Sequence, residues 1–544
     1  MNDEDETTDL PQDRLIDRRS FLTRMSALSA AAGAVTVLPP IGIRQAMAAV
    51  GLGNDAYAQT IRPEALADPT ELTISEAATL IKKKHISPVE LVQAYFDRIA
   101  RYDADYYKAF NTVRGEALAE AAIAASARNL GPLHGIPLAI KDNYYTAGTL
   151  TTANSYIFED FVPDFDATCV ARLKAAGGIV LGKMQMGPLA TTRATTPDGI
   201  VTTRNAWTPN NASTDPGGSS SGSATATAGR MATSSIGTQT GGSITAPSNA
   251  QALTGLKPTV GRSPLYGIVP LTYTRDHPGP LARDAKDAAI MTQVMAGPDP
   301  NDPRTLGLPP VPDLVKAATP VRKGGAYALR WPTTIGVIPG FLNGTSATAV
   351  ARAAMLQTFA SLGATIVDVT LPPDWDLLTG GSFNNVRLPE RSEPFLEFLK
   401  QDVRLFGVSL NSWMQGLFLG GEDYLKGQRA KFVLMQQVLD DLYAQCDVVV
   451  QTSPVPFDIL GLPEIAFNIG FSPNSDGLPV PIGAIFGGMP FAEDRLLSLV
   501  GAFQAVTDFH LKRPADPVVA LAARSIGGGQ TLRLTAEDVE ALSE

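Results

Sequence analysis

A chain of 544 residues that is 44% hydrophobic can bury a large core as one domain or as two or three. Its formal net charge of −10, with 44 basic residues and no dense basic run beyond Lys82 to Lys84, leaves no electrostatic footprint for a nucleic acid partner. Cys169 and Cys446, and the scattered His85, His134, His277 and His510, sit at no metal-ligand spacing, so neither a metal centre nor a disulfide framework is indicated. Two buried free thiols are expected, with one long-range disulfide as the alternative.

At the N-terminus, acidic residues lead into Asp17, Arg18, Arg19, Ser20, Phe21 and Leu22, and an alanine-rich apolar run follows from Met25 to Ile43. This reads as a twin-arginine export signal over residues 1–48, recognised by the export machinery, and it implies a periplasmic or secreted protein. The alternative is a membrane anchor. Ser26, Ser29, Pro39 and Pro40 interrupt the run, so no stable membrane insertion of the mature chain is expected. Small residues permit cleavage after Ala48 or after Ala58.

A polar linker, 49–69, then leads to a single domain expected over 70–515, with a peripheral tail at 516–544. Thr73 with Glu76, and Ser87 with Pro88 and Glu90, are capping boxes that start two helices; Leu91, Val92, Tyr95 and Ile99 share one face of the second. Glu116 to Leu130 reads as helix, Gly131 to Ile140 as an apolar strand closed by Lys141, Ala167 to Ala176 as helix, and Gly178 to Leu181 as strand ending at Gly182 and Lys183. Alternation at this spacing indicates an α/β layer architecture.

Next comes Pro216 to Pro247, with glycine-serine clusters at Gly217–Ser223 and Gly241–Ser243 joined by a strand-like run, Ala232–Ile236. The block from Gly255 to Arg283 is rich in glycine and proline and reads as loops. It completes a first half, 70–297. A proline-rich connection over 298–325 follows, then a second half, 326–515. There, strand Thr334–Ile338, helix Thr345–Leu362 and strand Thr365–Val369 form a βαβ-like unit. Residues 383–445 are helical and aromatic, Cys446–Gln451 is a strand, and the segments from Asp476 to Pro481 and Ala484 to Pro490 close the sheet.

The glycine-serine stretch admits a phosphate cradle or a serine nucleophile beside an oxyanion hole. No GxxxxGK[ST] or GxGxxG supports the first, and GxSxG is absent. With no histidine in a recognisable motif, a serine with a non-histidine base remains. Lys141, taken alone, reads equally as a snorkelling or salt-bridged strand-end lysine or as a desolvated base.

Gly135-Ile-Pro-Leu-Ala-Ile-Lys141-Asp-Asn, Gly217-Gly-Ser219-Ser-Ser-Gly-Ser223 and Gly237-Thr-Gln-Thr-Gly-Gly-Ser243-Ile, in that order, resemble the amidase signature family of serine hydrolases. Leu181-Gly-Lys183, Gly255-Leu-Lys-Pro-Thr-Val-Gly261 and Pro278-Gly-Pro-Leu-Ala-Arg283 extend the resemblance over about 70–510. It implies a large mixed, twisted β-sheet covered by helices on both faces. It also implies a Ser-cisSer-Lys triad, with Lys141 as base, Ser219 as bridging serine and Ser243 as nucleophile. Thr240, Gly241, Gly242 and Ser243 would supply oxyanion donors. The implied partner is a small-molecule amide, with no cofactor or metal. Carbamate, aryl-acylamide or ester hydrolysis by the same triad is the alternative. A non-catalytic exported binding protein is a remoter one, and one component of a tRNA-dependent amidotransferase is another.

Four departures bear on the substrate. Gln239 stands where aspartate is frequent, Thr245 where arginine is, Met184-Gln185 where threonine-asparagine is, and Ser221 where glycine is. With no cation at Thr245, a neutral amide is the expected substrate.

Overall fold

The computed structural model describes residues 62–519 apart from residue 213. The expected export signal, most of the linker and residues 520–544 lie outside the described residues. Both capping boxes form: Glu76 N donates to Thr73 Oγ1 and Thr73 N to Glu76 Oε2 at the start of helix Ile74–Lys82. Ser87 and Glu90 repeat the exchange for helix Pro88–Tyr102, which buries Leu91, Val92, Tyr95 and Ile99. Each box takes up two amides that a helix start leaves without partners.

Strands β1 (Phe110–Val113), β2 (Pro137–Lys141), β3 (Ile179–Met184), β4 (Ser234–Gln239), β5 (Thr254–Lys257) and β6 (His277–Ala282) come from the first half. A separate hairpin, β7 (Val321–Lys323) with β8 (Ala326–Ala328), follows the proline-rich connection. The second half adds β9 (Thr334–Val337), β10 (Thr365–Asp368), β11 (Val448–Gln451), β12 (Glu464–Pro473) and β13 (Pro479–Gly488). Eleven of these form one mixed sheet in the order β1-β3-β2-β4-β6-β5-β12-β13-β11-β9-β10. β2 runs parallel to β3 and β4, and β9 parallel to β10 and β11, while the remaining pairs are antiparallel.

The two halves share this sheet because β12 pairs with β5 on one side and with β13 on the other. A βαβ unit forms as expected, with helix Ala347–Ser361 between β9 and β10. That helix and helix Glu493–Gln504 bury Phe359 and Phe503 against Phe467 and Phe486 of the long hairpin, with ring centroids 5.1–6.3 Å apart. Edge and stacked contacts of this kind add to simple area burial.

Two expectations are corrected. The block from Gly255 to Arg283 is not all loop, because it contributes β5 and β6 to the middle of the sheet. Proline normally argues against a central strand. Here β5 pairs with β6 only at Leu281 and Ala282, so Pro278 and Pro280 lie beyond the stretch where β5 runs beside them. The tail is also not peripheral at its start: Asp516 pairs with Arg98 and Arg230, and Tyr102 donates to it at 3.3 Å. Cys169 and Cys446 are both buried free thiols. Among the described residues no helix is long and apolar enough to cross a membrane.

Candidate active site

β2 lies between β3 and β4, and all five of its residues are buried. A side chain at its C-terminal end therefore emerges inside the protein, and Lys141 is fully buried there. Its Nζ donates to Ser219 Oγ at 2.8 Å, to Thr238 Oγ1 at 2.8 Å and to Thr238 O at 3.3 Å. Among the described residues it forms no ion pair, so the lysine neither snorkels nor joins a salt bridge. Desolvation pushes its pKa down to about 7, partly offset by the Asp276 charge. Lys183, at the end of β3, is equally buried but lies 3.3 Å from Asp142 and is pushed down only to about 8.

Ser219 follows a cis Gly218-Ser219 peptide and precedes helix Ser221–Ala228. Gly217 adopts φ +74°, and a Cβ there would meet Pro247 Cα at 2.4 Å, so the first glycine-serine cluster abuts the helix that follows the second. Ser221 ties this loop down by donating to Gly217 O at 2.6 Å and accepting from Ala194 N at 2.9 Å, which glycine could not do.

Ser243 sits between β4 and helix Thr245–Ala250. It opens with Ser219, Thr240 and Gly241 onto a cavity of about 270 Å³. Among the described residues no protein acceptor takes up the N–H of Gly241 or of Ser243. Gly242 departs from expectation: it does not line the cavity, and at φ +95° its N–H is turned towards the Asp458 carboxylate. Thr240, Gly241 and Ser243 are the expected oxyanion residues that remain at the cavity.

Gln239 accounts for its own departure. Its Oε1 accepts from Ile244 N and Thr245 N, both at 2.8 Å, while Nε2 donates to Asp458 at 3.0 Å and Glu464 at 2.9 Å. Only an amide can accept on one side and donate to two carboxylates on the other. Lys257 Nζ lies 3.5 Å from each of those carboxylates. The turn carrying Ser243 is thus fixed from beneath by a fully buried network.

Thr245 is buried, bonds to Gly242 O at 3.3 Å and does not line the cavity. The expectation of a neutral substrate rests on that position, and its premise is corrected here, because cations reach the cavity from elsewhere. Arg275 comes from the turn before β6, and Arg387 and Arg391 from helix Asn384–Ser392. Sequence reasoning does not single out these arginines or Thr238. Thr238 carries a readable signal, since it alternates with Thr240 along the GTQTGGS run. The arginines converge only through the fold. Met184 and Gln185 do not touch the cavity, whereas Ala190 to Arg193, further along the same loop, form one wall.

The aromatic residues of 383–445 belong mainly to a core. Phe395, Phe406 and Trp413 pack on one another at 5.8–6.2 Å, while Phe418 and Phe432 are exposed, and none lines the cavity.

An eleven-stranded mixed sheet flanked by helices, with a buried lysine-serine pair beneath a glycine-rich turn, defines an α/β protein of the amidase signature fold. The family model described as Amidase matches residues 90–384. The amidase-like chain of the glutamyl-tRNA(Gln) amidotransferase from Geobacter metallireducens is 32% identical over 499 residues, which cover 81% of this chain and 99% of that protein. The structure of native peptide amidase from Stenotrophomonas maltophilia matches with a TM-score of 0.70 at 27% identity, over 82% of this chain and 98% of that one. An amidase family protein from Bacillus anthracis matches with a TM-score of 0.68 at 25% identity, over 88% and 98% of the two chains. The chain belongs to the amidase family.

Proposed function

We propose that this amidase-family hydrolase cleaves a carboxylic amide C–N bond through Lys141, Ser219 and Ser243, by way of an acyl-enzyme. The observation that carries the reading is Lys141, buried without an ion pair, bonded to Ser219 and pushed down to about 7. A lysine so tuned is a competent base at neutral pH.

Ser219 can donate and accept at once, so it passes a proton from Ser243 to Lys141 as Ser243 Oγ attacks the carbonyl carbon. Negative charge moves onto the carbonyl oxygen, where the N–H groups of Gly241 and Ser243, unclaimed inside the protein, support its stabilisation; one such donor is worth about 3 kcal/mol. The relay then runs backwards to protonate the leaving nitrogen, the C–N bond breaks, and water hydrolyses the ester. No cofactor enters the sequence.

Ser243→Ala and Lys141→Ala abolish turnover with the fold retained, and Ser219→Ala damages it severely. Near-full activity of Lys141→Ala at neutral pH sinks the relay. Carbamates, aryl acylamides and esters suit the same groups, and turnover across matched panels ranks them.

The amidotransferase relatives favour a second reading, in which the chain works as one component of a larger assembly. The Arg18-Arg19 signal favours an exported hydrolase instead. Cell fractionation separates the two, with export expected and purely cytoplasmic protein contradicting it.

A further inference from the structure

The cavity that holds Ser219 and Ser243 is lined by four arginines, Arg193, Arg275, Arg387 and Arg391, and by one carboxylate, Asp215. Asp215 lies 3.4 Å from Arg193, which leaves three further guanidinium groups facing a small space. Arg275, Arg387 and Arg391 are each no more than 2% exposed. Buried charges are ordinarily paired, because an isolated one is expensive to desolvate.

The acids nearest Arg275 are occupied elsewhere. Asp276 accepts from Thr240 Oγ1 and from the amides of Leu271 and Thr272. Glu390 accepts from Thr274 N and Oγ1, Tyr424 OH and Gln428 Nε2. Among the described residues Arg275 forms no ion pair. Its Nε donates to Thr240 O at 3.2 Å, and its Nη1 is buried with no hydrogen-bond partner.

Arg387 and Arg391 lie one turn apart on helix Asn384–Ser392 and so reach the same face. Each is aimed by a neutral side chain: Arg387 Nη2 donates to Asn384 Oδ1 at 2.6 Å, and Arg391 Nη1 to Ser412 Oγ at 2.7 Å, with its guanidinium over the Trp413 ring. Rigidly held guanidinium forks in a dry site match a carboxylate in shape and charge.

We propose that the cavity binds a small amide bearing a carboxylate, with Arg275, Arg387 and Arg391 holding that carboxylate while Ser243 faces the scissile carbonyl. This rests on the proposed function and specifies its substrate class. At about 270 Å³ the cavity has room for about nine water-sized groups, so the carboxylate lies within a few bonds of the amide.

The test compares each acid with a neutral isostere of the same shape. Succinamate against 4-methylpentanamide places the carboxylate on the acyl side, and N-acetylglycine against N-isobutylacetamide places it on the amine side. The readout is protection of Ser243 from labelling by a fluorophosphonate probe, with turnover followed alongside. At least one acid is expected to protect at about a hundredfold lower concentration than its isostere. Arg387→Met and Arg275→Met, each checked for unchanged labelling without ligand, lose that preference, and Arg387→Lys recovers part of it. Equal or better protection by the neutral isosteres, or no protection by either acid, overturns the inference while labelling at Ser243 leaves the hydrolase reading standing. A wild-type protein that the probe does not label overturns the proposed function, and this inference with it.

Discussion

The acid limb of the pH profile follows from the burial of Lys141. A lysine at its usual pKa near ~10.4 is neutral in about one molecule in 2,500 at pH 7. With Lys141 pushed down to about 7, half the molecules hold the neutral base at that pH. The competent fraction falls about tenfold between pH 8 and pH 6, and kcat/KM falls with it. The fluorophosphonate labelling rate of Ser243 follows the same curve, and it isolates the forward relay because no amine leaves. The Asp276 charge props the Lys141 pKa up, so Asp276→Asn moves the limb to lower pH. A labelling rate that is flat between pH 6 and pH 8, in wild type and Asp276→Asn alike, refutes Lys141 as the base.

Lys141→Met removes a buried group whose charged form the fold disfavours, so it raises stability at pH 7 by about 1–4 kcal/mol while abolishing turnover. The folded pKa is depressed, so the wild type carries the full penalty below pH 7 and sheds it as the pH rises towards that of a free lysine; urea melts at pH 7 and pH 10 should converge. Lys257→Met strands the Asp458 and Glu464 carboxylates and costs about 3–5 kcal/mol, read as a lowered denaturation midpoint. Thr238→Val takes one acceptor from Lys141 Nζ and is expected to lower kcat about tenfold with KM little changed; an unchanged kcat shows that Ser219 alone positions the amine. Ser221→Ala frees Gly217 O and Ala194 N, costing about 1–2 kcal/mol in a thermal or urea melt.

The parts of the fold legible in the sequence are those with local causes. Thr73 with Glu76 and Ser87 with Glu90 start helices through bonds spanning three residues, and the apolar runs ending at Lys141 and Lys183 are strands because both their faces are buried. β5 and β6 are hidden because their glycines and prolines carry the composition of loops, and pairing with β4 and β12 decides their conformation. The site divides the same way. Lys141, Ser219 and Ser243 lie in runs whose composition marks them, and the fold brings Lys141 to Ser219 and opens both serines onto one cavity. Gly242 misleads a linear reading because nothing local reports that its amide is turned towards Asp458, more than two hundred residues away. Arg275, Arg387 and Arg391 are invisible for a related reason. Along the chain, arginines spaced by four on a helix resemble a solvated face, and only the packing of helix Asn384–Ser392 over the glycine-rich turn buries them.

The central claim is that Ser243 is the nucleophile. Peptide mapping of the wild-type protein after reaction with a fluorophosphonate probe tests it most directly. The adduct is expected on Ser243 alone, absent from Ser243→Ala and slowed at least a hundredfold in Lys141→Ala. An adduct on Ser219 or on any other residue, or labelling of Ser243→Ala at the wild-type rate, contradicts it.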